Sequence, residues 1–363
     1  MTMTASSVPR MAPGLIEGFF GNSWSWAARQ AYAPWLAAHG YGFYIYAPKD
    51  DTCLRRHWWQ SWDDTQWQQL EQLRAIYRAN GIAFGIGLTP LGAHHDYANR
   101  RPQLQARVQE IETRLQPDIF AVLFDDMPSD TPDLAALQVT IAHDIAGWTR
   151  APRLVFCPSF YSTDPILEKV FGAMPEGYWS TLAAGLDSRF DLFWTGPNVC
   201  STDYPLDHLR WVADTLGRKP FLWDNYPVND GRKASDYLYL RGFTGRPAAL
   251  ADYLAGHAVN PMKQPWLSQL PLATLGDSYA QGSDYDAGNS WRQAAQEMLG
   301  TELAAMVEAD LPLFADRGLV NLTDEEKQTL QTRYQPWAEV PAVSELLGWL
   351  HGDYVFDPAC LTG

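Results

Sequence analysis

Two aspartates stand side by side in "AVLFDDMPSD", at Asp125 and Asp126, directly after an apolar, β-prone run. Like charges this close disfavour each other's ionisation, so one carboxyl of such a pair holds its proton longer than an isolated aspartate does. Three roles suit the pair: capping the helix expected after "PSDTPDL", holding a cation, or sharing acid–base chemistry. Other chemistry-bearing residues also gather at the ends of apolar runs. "GLIEGFFG" carries Glu17 and Gly18, and "YIYAPKDD" ends in Lys49, Asp50 and Asp51. "RLVFCPSFY" ends at Tyr161, "FLWDNYPVND" holds Trp223, Asp224, Asn225, Asn229 and Asp230, and "AVNPM" offers Asn260. Carboxylates, amides, one lysine and one tyrosine interleaved with Trp form a set that reads hydroxyl groups, with aromatic faces for an apolar ring surface. Taken singly, Lys49 suits an ordinary surface, Tyr161 and Trp223 a core, and Asn225 and Asp230 a turn beside Pro227. Their recurrence at the same end of successive runs is what points to a site.

Rival chemistries find less support. The chain has no HExxH, no phosphate-binding GxxxxGK and no GxSxG elbow. "GAHHDY" puts His94, His95 and Asp96 together, but adjacent histidines in one loop seldom ligate the same ion. "DDMPSD" lacks the alternating spacing of a calcium loop. No metal and no cofactor are therefore expected. A nucleophile and an acid that attack a sugar from two sides are poorly served by neighbouring residues. Successive side chains of a strand point to opposite faces, so both reach one site only where the strand has ended and the chain bends. A different division of labour fits better. One carboxylate grips a group on the substrate beside the reacting bond, and the other protonates the leaving oxygen, with a 2-acetamido oxygen as nucleophile.

Eight strand-like runs, beginning near Gly14, Tyr41, Ile82, Asp118, Arg153, Phe190, Pro220 and Ala258, alternate with helix-like stretches. Runs apolar on both faces that alternate with helices predict a parallel sheet. Eight such units predict a (β/α)8 TIM barrel, whose chemistry sits at the C-terminal strand ends. A doubly wound sheet would require a Gly-rich first turn, and "EGFFGNSW" is not GxGxxG. Residues 1–12 read as a loose polar tail, 13–275 as the barrel and 276–363 as a small α-helical domain. In that last region Ser290 reads as a helix N-cap, and Thr323 with Glu326 as a capping box.

The formal net charge of -15 disfavours nucleic acid as a partner and counts against a polyanion such as hyaluronan. Cys53, Cys157, Cys200 and Cys360 form no CxxC and read as reduced thiols. No run approaches the roughly 18 apolar residues needed to span a membrane. With no signal-peptide pattern in "MTMTASSVPRMAPG", the expected location is cytoplasmic.

In order, "LIEGFFG", "YIYAPKDD", "LFDD", "FCPSFY", "WTGP", "LWDNYPVND" and "NPM" resemble the barrel of glycoside hydrolase family 84, the β-N-acetylglucosaminidases that include the O-GlcNAcases. The likeness runs from about residue 14 to 262 and continues more weakly beyond. It implies a TIM barrel, no metal, and retention through an oxazoline intermediate. By the same resemblance, Asp125 orients the acetamido N–H and Asp126 is the acid, then the base. Tyr161 bonds near the acetamido oxygen and Trp223 walls the N-acetyl pocket. Gly18, Lys49, Asn225, Asp230 and Asn260 bind sugar hydroxyls and hold the site together. The implied partner is a β-linked GlcNAc glycoconjugate, protein or glycan, and a homodimer is a further expectation. The alternatives are a hexosaminidase for chitin fragments or hyaluronan, a non-catalytic sugar binder on the same barrel, and a metal-dependent hydrolase. Departures from the family pattern fall at Phe20, Thr52–Leu54 and Ser159–Phe160, positions expected at the rim and behind the site.

Overall fold

The computed structural model describes residues 11–354 and 356–362. The expected tail lies mostly outside them. Eight parallel strands close into a barrel in chain order. They are β1 (Gly14–Glu17), β2 (Phe43–Tyr46), β3 (Ala83–Leu88), β4 (Ile119–Leu123), β5 (Arg153–Cys157), β6 (Phe190–Trp194), β7 (Pro220–Asp224) and β8 (Gly256–Val259). The last seam pairs Gly14 with Ala258 and Leu15 with Val259. Nearly every strand residue is buried, because barrel packing inside and helix packing outside cover both faces. This is why the strands read as continuous apolar runs rather than alternating ones.

The helices are α1 (Trp26–Ala38), α2 (Asp64–Ala79), α3 (Tyr97–Leu115), α4 (Leu134–Trp148), α5 (Ile166–Phe171), α6 (Tyr178–Gly185), α7 (Leu206–Leu216) and α8 (Pro265–Gln281). Beyond them come α9 (Ala287–Leu299), α10 (Thr301–Leu311), α11 (Asp324–Tyr334) and α12 (Pro341–His351). Helix α8 crosses residue 275, where the sequence pattern changes from alternating to purely helical. The later helices bury Trp291, Val307, Phe314, Tyr334 and Trp349 in a second apolar cluster. That cluster also takes in Leu238, Leu240, Met262, Leu267 and Leu270, so it is continuous with the loop after β7 and with α8. Glu345 of α12 accepts the Trp266 and Leu267 N–H groups at 3.1 and 2.9 Å, satisfying donors that the first turn of α8 leaves open. The Thr323–Glu326 capping box forms as read. Ser290 does not cap: Asp286 does, and Ser290 lies buried inside α9, bonded to Asp277.

Three strand-end acids belong to the framework. Glu17 accepts from Arg29 Nε at 2.9 Å and from Tyr44 Oη at 2.6 Å. Asp51 accepts from Tyr46 Oη at 2.9 Å and Trp62 Nε1 at 2.8 Å. Asp224 takes Arg246 in a two-pronged pair at 2.9 and 2.7 Å and faces His257 Nε2 at 3.0 Å. Burial opposes ionisation of Asp224, but the Arg246 guanidinium and His257 outweigh it and hold the carboxyl well below the ordinary range. Arg246 also binds the Thr202 and Ser201 carbonyls, so one guanidinium ties the loops after β6 and β7 together. Removing one partner leaves a buried charge uncompensated. Arg246→Met should therefore cost about 3–5 kcal/mol in urea unfolding, and a loss below about 1 kcal/mol would show the pair to be dispensable.

Candidate active site

Why two adjacent carboxyls converge is answered by the backbone at the end of β4. Asp126 has φ +56°, a left-handed conformation. Aspartate is one of the few non-glycine residues that adopt it readily. The bend turns Asp126 out of strand alternation, and both aspartates line one open-sided pocket at the C-terminal end of the barrel. Counting its open mouth, the pocket encloses about 500 Å³. Neither aspartate caps α4, which begins after Asp133.

The two carboxyls have different surroundings. Asp125 is buried, and its Oδ2 is paired with Lys49 Nζ. Its Oδ1 is buried without a hydrogen-bond partner among the described residues. Asp126 accepts from Tyr161 Oη at 2.9 Å. Burial, then the Asp125 charge, pushes the Asp126 carboxyl up to about 6, against the opposing pull of Lys49, Arg55 and the Tyr161 bond. Burial and the neighbouring charge together make it a carboxylic acid that can still donate near neutral pH.

The floor is built around Trp223. Its Nε1 donates to Asn225 Oδ1 at 3.0 Å, and Asn260 Nδ2 donates to the same oxygen at 3.0 Å. Asn260 Oδ1 accepts the Gly18 N–H at 3.2 Å, and Asn225 Nδ2 donates to the Val199 carbonyl at 2.9 Å. Phe193 packs edge-on against the indole with ring centroids 5.1 Å apart. Gly18 is required by close approach, since a Cβ there would lie 2.5 Å from Trp223 Cζ2. Asp230 accepts the Phe20 N–H at 2.8 Å, and burial raises its carboxyl.

The nine residues to which the resemblance assigns roles thus meet at or beside one pocket. Eight of them line it, and Lys49 reaches it through Asp125. Glu17, Asp51, Asp224 and Asn229 do not; Asn229 is buried and bonded to Gln264 and Tyr237. Phe20, a departure from the family pattern, lines the pocket itself. Sequence reasoning missed Arg55, which donates to the Asp126 carbonyl at 3.2 Å and lies 5.5 Å from the Phe20 ring. Its "RR" setting reads as plain surface. It also missed Cys157, Cys200, Cys360 and Thr362, which line the pocket from separate places in the chain. Burial raises the Cys157 thiol well above its ordinary range, so it is no thiolate near neutral pH, whereas Cys200 is exposed.

His94 and His95 are drawn not to Asp96 but to Asp130, at 3.2 and 2.6 Å. Among the described residues these three alone form a group whose ligand atoms could meet on one ion. None of them lines the pocket.

A parallel eightfold barrel with an acid pair and a hydroxyl-reading floor at its C-terminal mouth defines a glycoside hydrolase type of site. The family model for β-N-acetylglucosaminidase matches residues 13–315, and the chain belongs to that family, glycoside hydrolase family 84. It is 27% identical over 289 residues to the protein O-GlcNAcase of Rattus norvegicus, covering 77% of this chain and 31% of that one. The Mus musculus protein O-GlcNAcase matches at 27% over 286 residues, 76% of this chain and 30% of that one. The chain thus spans about a third of the curated relatives it matches. Among solved structures, a mutant of the Thermobaculum terrenum O-GlcNAc hydrolase superposes with a TM-score of 0.75 at 27% identity, covering 94% of this chain and 81% of that one. CpGH84B shares the fold, with a TM-score of 0.76 at 22% identity, covering 94% and 66%. Among the described residues no helix is long and apolar enough to cross a membrane.

The acid pair makes a direct prediction. Carbon-13 NMR of labelled aspartate should show Asp126 titrating near 6. Asp125→Asn should move that midpoint down, because a neutral neighbour no longer opposes the charge. An unmoved midpoint would mean that burial alone raises it.

Proposed function

We propose that this chain is a retaining β-N-acetylglucosaminidase that removes terminal β-linked GlcNAc by substrate-assisted catalysis, in the manner of an O-GlcNAcase. The observation that carries the reading is the unpartnered, buried Oδ1 of Asp125 beside the raised carboxyl of Asp126. A buried acceptor without a partner is costly, and an acetamido N–H supplies the missing donor. Lys49 pairs with the other oxygen, which leaves Oδ1 as the atom still open to a donor.

In the proposed reaction Asp125 accepts the acetamido N–H and aims the acetamido oxygen at C1. That oxygen bonds to C1 as the glycosidic C–O bond breaks, and Asp126 gives its proton to the leaving oxygen. The product is an oxazoline whose nitrogen proton is shared with Asp125, so the positive charge of the protonated ring is balanced by that carboxylate and the proton is at hand when the ring opens. Asp126, now a carboxylate, takes a proton from water as the water oxygen bonds to C1 and the oxazoline opens. Two inversions at C1 give net retention. Tyr161 donates its one O–H to Asp126 at 2.9 Å and would turn it to the acetamido oxygen once substrate is bound. Trp223 walls the N-acetyl methyl, Asn225 and Asn260 hold that wall, and with Asp230 they meet ring hydroxyls. The names of the relatives support a GlcNAc glycoconjugate as the substrate class.

Purified chain should release the phenol from an aryl β-GlcNAc in the presence of EDTA, and a GlcNAc-thiazoline should block the release. No release, with GlcNAc still bound by calorimetry, would make this a binding protein. Asp126→Ala should lose about 10²–10⁴-fold on poor leaving groups and much less on activated aryl ones, since only the former need the proton. Asp125→Ala should impair every leaving group, because it serves the nucleophile. A mild, uniform loss in Asp125→Ala would favour a carboxylate nucleophile instead.

A further inference from the structure

The chain returns to the barrel mouth after its last helix. Lys263, just after β8, donates from Nζ to the Tyr354 carbonyl at 2.9 Å. Arg232, in the loop after β7, stacks 4.5 Å over the Phe356 ring. Asp357 lies beside Gly21, in the loop after β1, and starts a turn in which its carbonyl accepts the Cys360 N–H at 2.9 Å. The segment then runs with Cys360 buried, Leu361 exposed, and Cys360 and Thr362 both facing the pocket. Loops after three different strands therefore hold one strap against the site.

A row of alternating charges runs alongside these contacts. Asp125 pairs with Lys49. Lys49 and Lys263 both act on Asp230, and Asp230 and Asp357 both act on Lys263. The row leads from the acid pair through Asp230 to the strap. In the proposed reaction the leaving group sits by Asp126 and the acetamido group by Asp125. The ring's remaining hydroxyls then face Asp230, which lines the same pocket as Cys360 and Thr362.

We propose that the strap, through Cys360 and Thr362, is a specificity-determining wall that closes the pocket behind the sugar and admits only a GlcNAc unit bearing no further sugar on that side. The proposal rests on the glycosidase reading above. Small side chains suit such a wall, because they end the pocket without filling it.

The test compares 4-nitrophenyl β-GlcNAc with 4-nitrophenyl β-chitobioside and follows intact chitobiose by mass spectrometry. Wild type should cleave the monosaccharide and release no chitobiose. The double variant Cys360→Gly/Thr362→Gly should release chitobiose and raise the disaccharide-to-monosaccharide ratio of kcat/KM by about tenfold or more, the scale of a changed pocket wall. Thr362→Trp, at a half-buried position, should lower kcat/KM on the monosaccharide by about tenfold by filling the pocket. An active wild type with no chitobiose from the double variant, and full monosaccharide turnover by Thr362→Trp, overturns the wall alone. A wild type inactive on the monosaccharide overturns the glycosidase reading and the wall with it.

Discussion

The site depends on one backbone constraint, the left-handed turn at Asp126. Strand geometry would send the side chains of Asp125 and Asp126 to opposite faces. The turn brings them into one pocket, and their closeness then sets their chemistry. Lys49 occupies one oxygen of Asp125, while Asp126, desolvated and beside that charge, keeps its proton longer. Strained conformations of this kind persist where the surroundings over-determine them. Tyr161 holds the Asp126 carboxyl and Arg55 its carbonyl, so side chain and backbone are both fixed.

Charge is used in two ways within the same barrel. Glu17 and Asp224 are completely paired, each with an arginine and further donors, and serve to lock strands to loops. Asp125 is left one donor short. A fully satisfied ion pair has nothing left to offer a ligand, whereas a buried, unpartnered oxygen gains when a donor arrives. The framework acids keep the strand ends rigid, and that rigidity preserves the geometry of the incomplete one.

The pocket wall draws on segments that are far apart in the chain. Asn260 after β8 holds Gly18 after β1, and both set the position of Trp223 in β7. Closure of the barrel between β1 and β8 makes this triangle possible. The strap near residue 360 completes the mouth from the far end of the described chain.

The eight strands were legible in the sequence, because doubly buried strands leave continuous apolar runs, and the nine candidate residues fall at one pocket because a barrel delivers its polar residues at the strand ends. The capping box at Thr323 was legible because its two partners lie three residues apart, whereas the cap at Ser290 was not, since Asp286 lies closer to where packing starts α9. Local patterns could not tell Asp224 from Asp230, two carboxylates in one loop-bound stretch, one consumed by Arg246 and the other lining the pocket. Nor could they show that His94 and His95 turn to Asp130, that Arg55 backs Asp126, or that Cys360 faces the pocket. Residue types and their order along the strands determined which chemistry was available. Long-range packing alone decided which charges are neutralised and which are left facing the pocket, because a partner far away in the chain leaves no periodic trace.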